Sequence, residues 1–224
     1  MTTLDTAGGR PARHSLDDVL AAAMAILDEN GLADLTMRRL AASLGVQPSA
    51  LYWHVPNKQT LLALIADRIV SVPGAAGVPG TSTRPGTATR SPDATGIDWQ
   101  HAARAEALAL RDALLAYRDG AEVVSSTLAL GLGADDARGR LAAALTGADL
   151  APSAREMAAA TLLHFILGHV WHEQQRLQAD SLGVVAPGQA ADPLEASASH
   201  HGPGSFEFGV DLLLDGLAAR ALRR

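Results

Sequence analysis

The stretch from Leu35 to Lys58 predicts two short helices joined by a tight turn. Thr36 is placed to cap the first helix. Gly45 follows where the chain must leave helical geometry, because glycine adopts a left-handed backbone at little cost. Pro48 suits the first turn of the second helix, where no backbone donor is needed. One buried stripe at helical spacing supports the first helix: Leu35, Leu40, Ala41 and Leu44. The segment is therefore predicted to be a helix-turn-helix.

The second helix, predicted from Ser49 to His54, leaves large side chains on its outer face. Leu51 and Val55 are four residues apart and face the core. The YWH string from Tyr52 cannot be buried on one helical face, because its members are consecutive. An outward aromatic cluster of this kind, followed by the only lysine of the chain, indicates a DNA-binding surface. The residues expected to contact DNA are Thr36, Arg38, Ser49, Ala50, Tyr52, Trp53, His54 and Lys58.

These residues resemble the tetracycline-repressor (TetR) family of transcription regulators. The matching strings are LTMRRLAASLGV, LYWHV and the NK that follows. The resemblance continues, in the same order, at WQ from Trp99, YRDGAEV from Tyr117, HFILGHV from His164 and FEFGVDLLLDGL from Phe206. It implies a ligand-responsive regulator, in its simplest use a repressor. Such a protein binds a palindromic operator as a homodimer and is released by a small molecule.

Composition limits the class of protein. The chain has 224 residues, 48% of them hydrophobic, which suits a small module and a larger domain with an apolar core. No apolar run approaches the roughly 20 residues that a membrane span needs, and no charged-then-apolar leader is seen, so a cytoplasmic protein is expected. Cysteine is absent, which excludes disulfides, thiolate metal sites and cysteine nucleophiles. The formal net charge of -6 predicts weak non-specific DNA binding.

Helix-breaking residues and apolar periodicity divide the chain into four segments. These are a flexible N-terminal arm (1–13), a helix-turn-helix DNA-binding domain with a linking helix (14–71), a flexible loop (72–97) and a helical ligand-binding and dimerisation domain (98–224). The last segment contains a mobile loop at about 180–204, where glycine, proline, alanine and serine predominate.

All regular structure is predicted to be helical, so the fold class is all-α. Ser15 caps the first helix together with Asp18, and Gly31 ends it. No strand pattern is found. The remaining helices are predicted at Thr60–Val70, Trp99–Tyr117, Ala121–Leu130, Asp135–Leu145, Ala154–Gln178 (capped by Ser153) and Phe206–Leu222.

The last two long helices carry apolar faces that predict a dimer. Two such faces on each subunit close into a four-helix bundle across a two-fold axis. The alternative is that both faces are buried within one subunit, and the family resemblance favours the dimer. The expected interface residues are Leu162, Phe165, Val210, Leu213, Leu214 and Leu217.

The resemblance also implies a small-molecule cavity in the second domain, although ordinary core is the alternative for each residue. In tetracycline-binding members, a His and a Glu belong to the surroundings of the drug's magnesium; this chain has Val124 and His172 there. An Asn and a Phe that touch the drug correspond to Glu106 and Leu110. A regulator is therefore implied but not tetracycline, and we expect a largely apolar effector with a basic group that meets Glu106. The cavity residues are Trp99, Glu106, Leu110, Val124, Thr127, His164, Phe165, Trp171 and His172.

Other functions fit the sequence less well. His169 and His172 are neighbours on a helix, but no cysteine and no nearby Asp complete a metal site, so no metal and no cofactor are predicted. No phosphate-binding glycine loop, nucleophile elbow or HExxH string indicates an enzyme. The alternative function is a helical small-molecule-binding or interaction protein without a DNA-binding role.

Overall fold

The computed structural model describes residues 14–71, 94–183 and 203–222, with residues 94–98 and 203 described as backbone only. Every regular element in these ranges is helical, which confirms the all-α fold class. The helices are α1 (Leu16–Asn30), α2 (Met37–Ser43), α3 (Pro48–Leu51), α4 (Lys58–Val70), α5 (Ala94–Leu115), α6 (Gly120–Leu128), α7 (Asp135–Ala144), α8 (Pro152–Ser181) and α9 (Pro203–Ala221). A 3-10 turn, Leu145–Gly147, follows α7.

Helices α1 to α4 form a small N-terminal unit whose helix starts are specified locally. The Ser15 hydroxyl accepts from the Asp18 amide, and the Asp18 carboxylate accepts from the Ser15 amide, so α1 opens with a capping box. Thr36 caps α2 by accepting from the Arg39 amide at 3.1 Å. Gly45 has a φ of +67°, the left-handed turn predicted between α2 and α3. These observations confirm the predicted helix-turn-helix frame.

Helices α5 to α9 form the larger domain around the long helix α8. Helix α5 packs against α7, α8 and α9, and α6 packs between α4 and α8. The centre of the domain holds a partly buried ion pair between Arg111 and Glu173, at 2.5 Å. The Arg111 guanidinium lies 5.5 Å from the ring centroid of the buried Phe206, and this contact fixes α9 on α5 and α8.

Several predicted helix boundaries were wrong. Helix α3 ends at Leu51 rather than His54, because aromatic residues are weak helix formers and the residue before Pro56 disfavours helical backbone. Helix α4 begins two residues earlier than predicted, where the Asn57 side chain accepts from the Thr60 amide. Helix α8 begins at Pro152 with Ala151 at the N-cap position and no side-chain cap, so the predicted Ser153 cap is not used.

The two predicted loops lie largely outside the described residues. Part of each described end is helical: α5 begins at Ala94, inside the predicted loop 72–97, and α9 begins at Pro203, inside the predicted loop 180–204. The predicted N-terminal arm 1–13 lies wholly outside the described residues. Among the residues that are described, no helix is long and apolar enough to cross a membrane.

The carboxylates of Asp119 and Asp67 are among the groups that join the N-terminal unit to the larger domain. The Asp119 carboxylate, in the turn between α5 and α6, accepts from the Leu32 amide at 2.8 Å and from the Gln178 side chain of α8 at 2.5 Å. The Asp67 carboxylate on α4 accepts from the Ala134 amide, just before α7, at 2.8 Å. The N-terminal unit is therefore held to the larger domain at two places: just after α1 and near the end of α4.

Candidate functional site

The helix-turn-helix presents an aromatic surface to solvent. Tyr52 is 51% exposed and Trp53 is 91% exposed, while Leu51 and Val55 are buried beneath them. The other predicted DNA contacts are also exposed, apart from a half-buried Lys58: Thr36, Arg38, Ser49, Ala50 and His54. All eight residues predicted to contact DNA thus lie on α2 and α3, at the cap of α2, in the turn after α3 or at the start of α4.

The two neighbouring arginines of α2 differ in their engagement. The Arg39 guanidinium pairs with Asp34 at 3.3 Å and donates to the Asn30 side chain at 2.7 Å. Arg38 makes no ion pair with any residue that the structure describes, and its side chain is exposed. Arg38 is therefore available for a phosphate contact, whereas Arg39 braces the turn between α1 and α2.

Two features at the start of α4, the helix N-terminus and the charge of Lys58, favour a bound anion. It is the first residue of α4, whose N-terminal amides carry the positive end of the helix dipole. Its ammonium group adds a full charge next to these amides. A phosphate at this position would meet both groups, and the phosphate contact of Lys58 stays a prediction.

The larger domain buries some of the predicted cavity residues and exposes others. Trp99, Leu110, Val124 and Thr127 are buried, and the Thr127 hydroxyl donates to the carbonyl oxygen of its own helix at Val124 (3.0 Å). Three others lie on the outer face of α8 and are exposed in the subunit: His164, Trp171 and His172. The structure therefore does not bring the nine predicted residues around one cavity within a subunit.

Glu106 has a partner within the chain that the sequence analysis missed. Its carboxylate lies 2.6 Å from Arg140 Nε on α7, and the two side chains are only 15% and 25% exposed, respectively. Arg140 Nη2 also donates to the Val70 carbonyl oxygen, at the last residue of α4, at 2.7 Å. The charge expected to await a basic group of the effector is thus already neutralised.

A cleft of about 740 Å³ opens beside this ion pair. It lies at the junction of α4, α5 and α7, with Arg140 on one side and Arg68, Tyr117 and Asp136 among its other walls. No sequence pattern points to Arg140, because its partners lie 34 and 70 residues away. Contacts at such separations follow from tertiary packing and not from local spacing.

The residues predicted for the dimer interface divide by burial. Leu162, Val210 and Leu214 are buried in the subunit's own core, as the alternative interpretation held, while Phe165, Leu213 and Leu217 are partly buried. Other side chains on the same two helices reach solvent, among them Met157, Thr161, His164 and Trp171 on α8, and Phe208 and Leu212 on α9. Helical periodicity therefore assigned to the interface three residues that are buried within the subunit, and the part of α8 and α9 in the interface stays a prediction.

No group of three His, Cys, Asp or Glu side chains that could hold a metal ion occurs among the described residues. His169 instead packs against the rings of Phe165 and Phe206, with centroid distances of 5.8 and 5.3 Å. The ring of His172 contacts the edge of Trp171 at 4.9 Å. The two histidines considered for a shared ion therefore have different aromatic neighbours.

The comparisons with known proteins agree with this architecture. Residues 19–65 match the family model for bacterial regulatory proteins of the tetR family, and residues 91–221 match the model for the tetracyclin repressor-like C-terminal domain. The tetracycline repressor protein class E of Escherichia coli is 32% identical over 211 residues, which are 93% of each chain. Its similarity thus extends through both domains.

Solved structures show the same relationship. The crystal structure of Mycobacterium smegmatis BioQ matches with a TM-score of 0.69 and 38% identity, over 92% of this chain and 98% of that one. BioQ bound to its double-stranded DNA operator matches with a TM-score of 0.66 and 36% identity, over 92% and 99%. A TetR variant from Acinetobacter baumannii AYE in complex with minocycline matches with a TM-score of 0.66 and 26% identity, over 93% and 98%.

The helix-turn-helix surface, the helical second domain and these matches lead to one assignment. The relatives are transcription regulators and not enzymes. The chain belongs to the tetR family of bacterial regulatory proteins, which are ligand-responsive transcription regulators with a helix-turn-helix DNA-binding domain and a ligand-binding C-terminal domain.

Proposed function

We propose that this chain is a cytoplasmic repressor that binds a palindromic DNA operator as a homodimer and is released by a small molecule. The observation that carries the proposal is the outward aromatic pair, Tyr52 and Trp53, on an otherwise well-packed helix-turn-helix. The N-terminal unit, α1 to α4, is here called the DNA-binding head. Two such heads on a dimer fit half-sites about 34 Å apart in successive major grooves. The DNA-bound BioQ relative supports this use of the head.

Within the head, we assign two kinds of contact. Tyr52 and His54 contribute base or sugar contacts, supported by Thr36, Ser49, Ala50 and Trp53 around them. Lys58 and Arg38 contact phosphates. Base contacts determine sequence preference, whereas phosphate contacts raise affinity for all sequences and make it depend on salt.

For the dimer, we propose an interface built from the exposed stripes of α8 and α9. Met157, Thr161, His164 and Trp171 recur at intervals of three, four and seven residues and define one face of α8. Phe208 and Leu212 do the same on α9, next to an apolar groove of about 230 Å³ that Leu213 and Leu217 help to line. An apolar surface of this length on a lone subunit is costly in water, and a second copy covers it.

We place the effector beside the buried residues Trp99, Leu110, Val124 and Thr127 and the Glu106–Arg140 pair, with the cleft at α4, α5 and α7 as its way in. Phe165, on α8, stacks on the buried Phe206 and stays a proposed contact, and exposed His172 is proposed to face the partner subunit's pocket. The apolar character of these residues favours a largely apolar effector. Because Arg140 already neutralises Glu106, the effector does not need a basic group.

The DNA-binding proposal can be tested directly. Purified protein is used to select operators from a random-sequence DNA library, and the affinity is then measured by fluorescence anisotropy at several salt concentrations. Lys58→Ala should weaken binding to all sequences and lower the salt slope by about one. Tyr52→Ala should reduce operator binding far more than non-specific binding.

Arg138→Ala is the matched control for lost positive charge. Arg138 is exposed on α7, pairs with Asp135 at 2.9 Å, and lies outside the head. Its removal should leave both operator affinity and salt slope unchanged. A library that yields no enriched palindrome, or unchanged operator binding in the Tyr52 and Lys58 variants together, would contradict the proposal.

A further inference from the structure

Arg140 connects the interior of the larger domain to α4, the last helix of the DNA-binding head. Its guanidinium bridges two acceptors on different helices: Glu106 on α5, at 2.6 Å, and the Val70 carbonyl oxygen at the end of α4, at 2.7 Å. The side chain is 25% exposed, so water can still reach part of it. A planar guanidinium can make both contacts at once in a fixed geometry, which a lysine ammonium does less well.

The Val70 carbonyl oxygen lies at the C-terminal end of α4. The last carbonyl groups of a helix lack intrahelical partners, and the C-terminus carries the negative end of the helix dipole. A cation that donates there fixes the last turn of α4. The opposite end of the same helix begins at Lys58, on the proposed DNA surface. A helix of 13 residues spans about 20 Å, so a small tilt at Val70 moves Lys58 by a larger amount.

A second contact holds the same half of α4. Asp67, one turn before the end, accepts from the Ala134 amide at 2.8 Å. Both donors thus come from α7 or the residue before it. The Ala134 amide directly precedes the helix, and the Arg140 side chain lies on it. The donor to Asp67 is the backbone amide of Ala134, which has little freedom to move. The donor to Val70 is the Arg140 side chain, which a neighbouring charge can attract away.

We propose that Arg140 is the positioning residue that sets the angle of α4, and that Glu106 holds its guanidinium in place. The inference rests on the proposed repressor function and adds its regulation. An effector that competes for either side chain releases the Val70 carbonyl and frees the last turn of α4. The heads then lose the single separation that an operator requires, and only a fraction of dimers stays competent to bind.

The test uses the full-length protein and two variants. Arg140→Lys keeps the positive charge beside Glu106 but not the two-acceptor geometry. The double variant Glu106→Gln with Arg140→Gln removes both charges together, so that no unpaired buried charge remains. Hydrogen exchange is measured on the peptide that spans the end of α4, where the Ser71 amide donates to Asp67. Operator affinity is measured on the same samples, and thermal unfolding confirms that each variant is folded.

We expect exchange in the last turn of α4 to be about tenfold faster in both variants, and operator affinity to fall by a similar factor, as loss of one charged hydrogen bond implies. Arg104→Gln is the matched control, because Arg104 is another partly exposed arginine of the larger domain. It pairs with Glu207 at 2.6 Å and Asp211 at 3.4 Å, both on α9. It should change neither quantity.

Exchange at wild-type rates in both folded Arg140 variants would overturn the inference. So would equal acceleration of α4 exchange in the Arg104 variant, because the effect would then be general loosening of the domain. If the wild-type protein binds no operator, the proposed function fails, yet the exchange measurement still decides whether Arg140 holds α4. Faster exchange with unchanged operator affinity would show that the contact is structural and would also overturn the regulatory inference.

Discussion

The helices of the DNA-binding head and those of the larger domain begin in different ways. In the head, α1, α2 and α4 each start with a side chain that accepts from a backbone amide: Ser15, Thr36 and Asn57. In the larger domain, α6, α7 and α8 start without such a cap. Three of the four helix starts in the head therefore follow from adjacent capping residues. The exception is α3, where Gln47 makes no side-chain cap, and α6, α7 and α8 also lack this local signal.

The starts of α6 and α7 show what replaces the caps. Asp119 and Ala134 precede these helices with φ values of 55° and 58°, a left-handed backbone that costs a non-glycine residue about 1–2 kcal/mol. Each strained residue is held by a contact to the head: Asp119 accepts from the Leu32 amide, and Ala134 donates to Asp67. The larger domain is thus shaped in part by the head that it is proposed to control.

The largest expected effect separates two leucines of α9. Leu214 is 2% exposed and lies in the core of the larger domain, whereas Leu212 is 62% exposed. Leu214→Glu buries an unpaired charge and should cost several kcal/mol of folding stability, about 3–5. Leu212→Glu should leave the subunit folded but separate the proposed dimer. Thermal unfolding and light scattering distinguish these outcomes.

The comparison of the two leucines also has a clear failure. A Leu212 variant that remains dimeric at micromolar concentration would show that the α9 stripe is not the subunit interface. A Leu214 variant with unchanged unfolding temperature would show that the packing of α9 onto α5 and α8 differs from that described.

This pair illustrates what the sequence can and cannot predict. The capping box at Ser15 and the left-handed Gly45 were predictable because their partners are within a few residues. Leu214 was assigned to the dimer interface because an apolar stripe shows that a face is buried, but not against what. Arg140 was missed altogether, because the partners that give it a role, Glu106 and Val70, lie on other helices.

The next largest effect is expected at the joint between head and domain. Asp119→Ala removes the acceptor for the Leu32 amide and for Gln178, and leaves alanine in a left-handed backbone. We expect a loss of about 2 kcal/mol in the free energy of unfolding, from two lost hydrogen bonds and added strain. Asp119→Asn keeps an acceptor oxygen and tolerates this backbone, so it should cost less. Denaturant unfolding of both variants measures the difference. Equal losses would show that the hydrogen bonds accepted by Asp119 do not account for the stability that this residue contributes.

A smaller effect is expected at the cap of α1, where the interactions are entirely local. Ser15→Ala should lower the stability of the folded state by about 1 kcal/mol at neutral pH, the usual loss of an N-cap. Hydrogen bonds from the Ser15 backbone and then its side chain lower the pKa of Asp18, with a further lowering by nearby His14. The matched control Ser49→Ala changes an exposed serine that caps no helix.

The sign of the pH dependence follows from this lowered pKa. A carboxylate with a depressed pKa in the folded state stabilises the fold above its ordinary pKa, and that stability is lost as the pH falls through the folded-state value. Part of the difference between wild type and the Ser15 variant should therefore disappear in acid. Unfolding curves from pH 6 down into the acid range measure it, and a difference that grows in acid would contradict the role of Asp18.

The smallest expected effect is that of tetracycline with Mg²⁺ on the protein–operator complex, which should be none. Both domains are similar to those of the tetracycline repressors, but we propose that the larger domain does not bind a magnesium chelate. Mg²⁺ takes oxygen ligands in near-octahedral geometry, directly or through water. Val124 is buried and offers no donor atom, His172 is exposed on α8, and the Glu106 carboxylate is already bound by Arg140. Anisotropy titration with the drug and Mg²⁺ tests this, and release at low micromolar drug that a chelator reverses would show that the larger domain binds the chelate despite these substitutions.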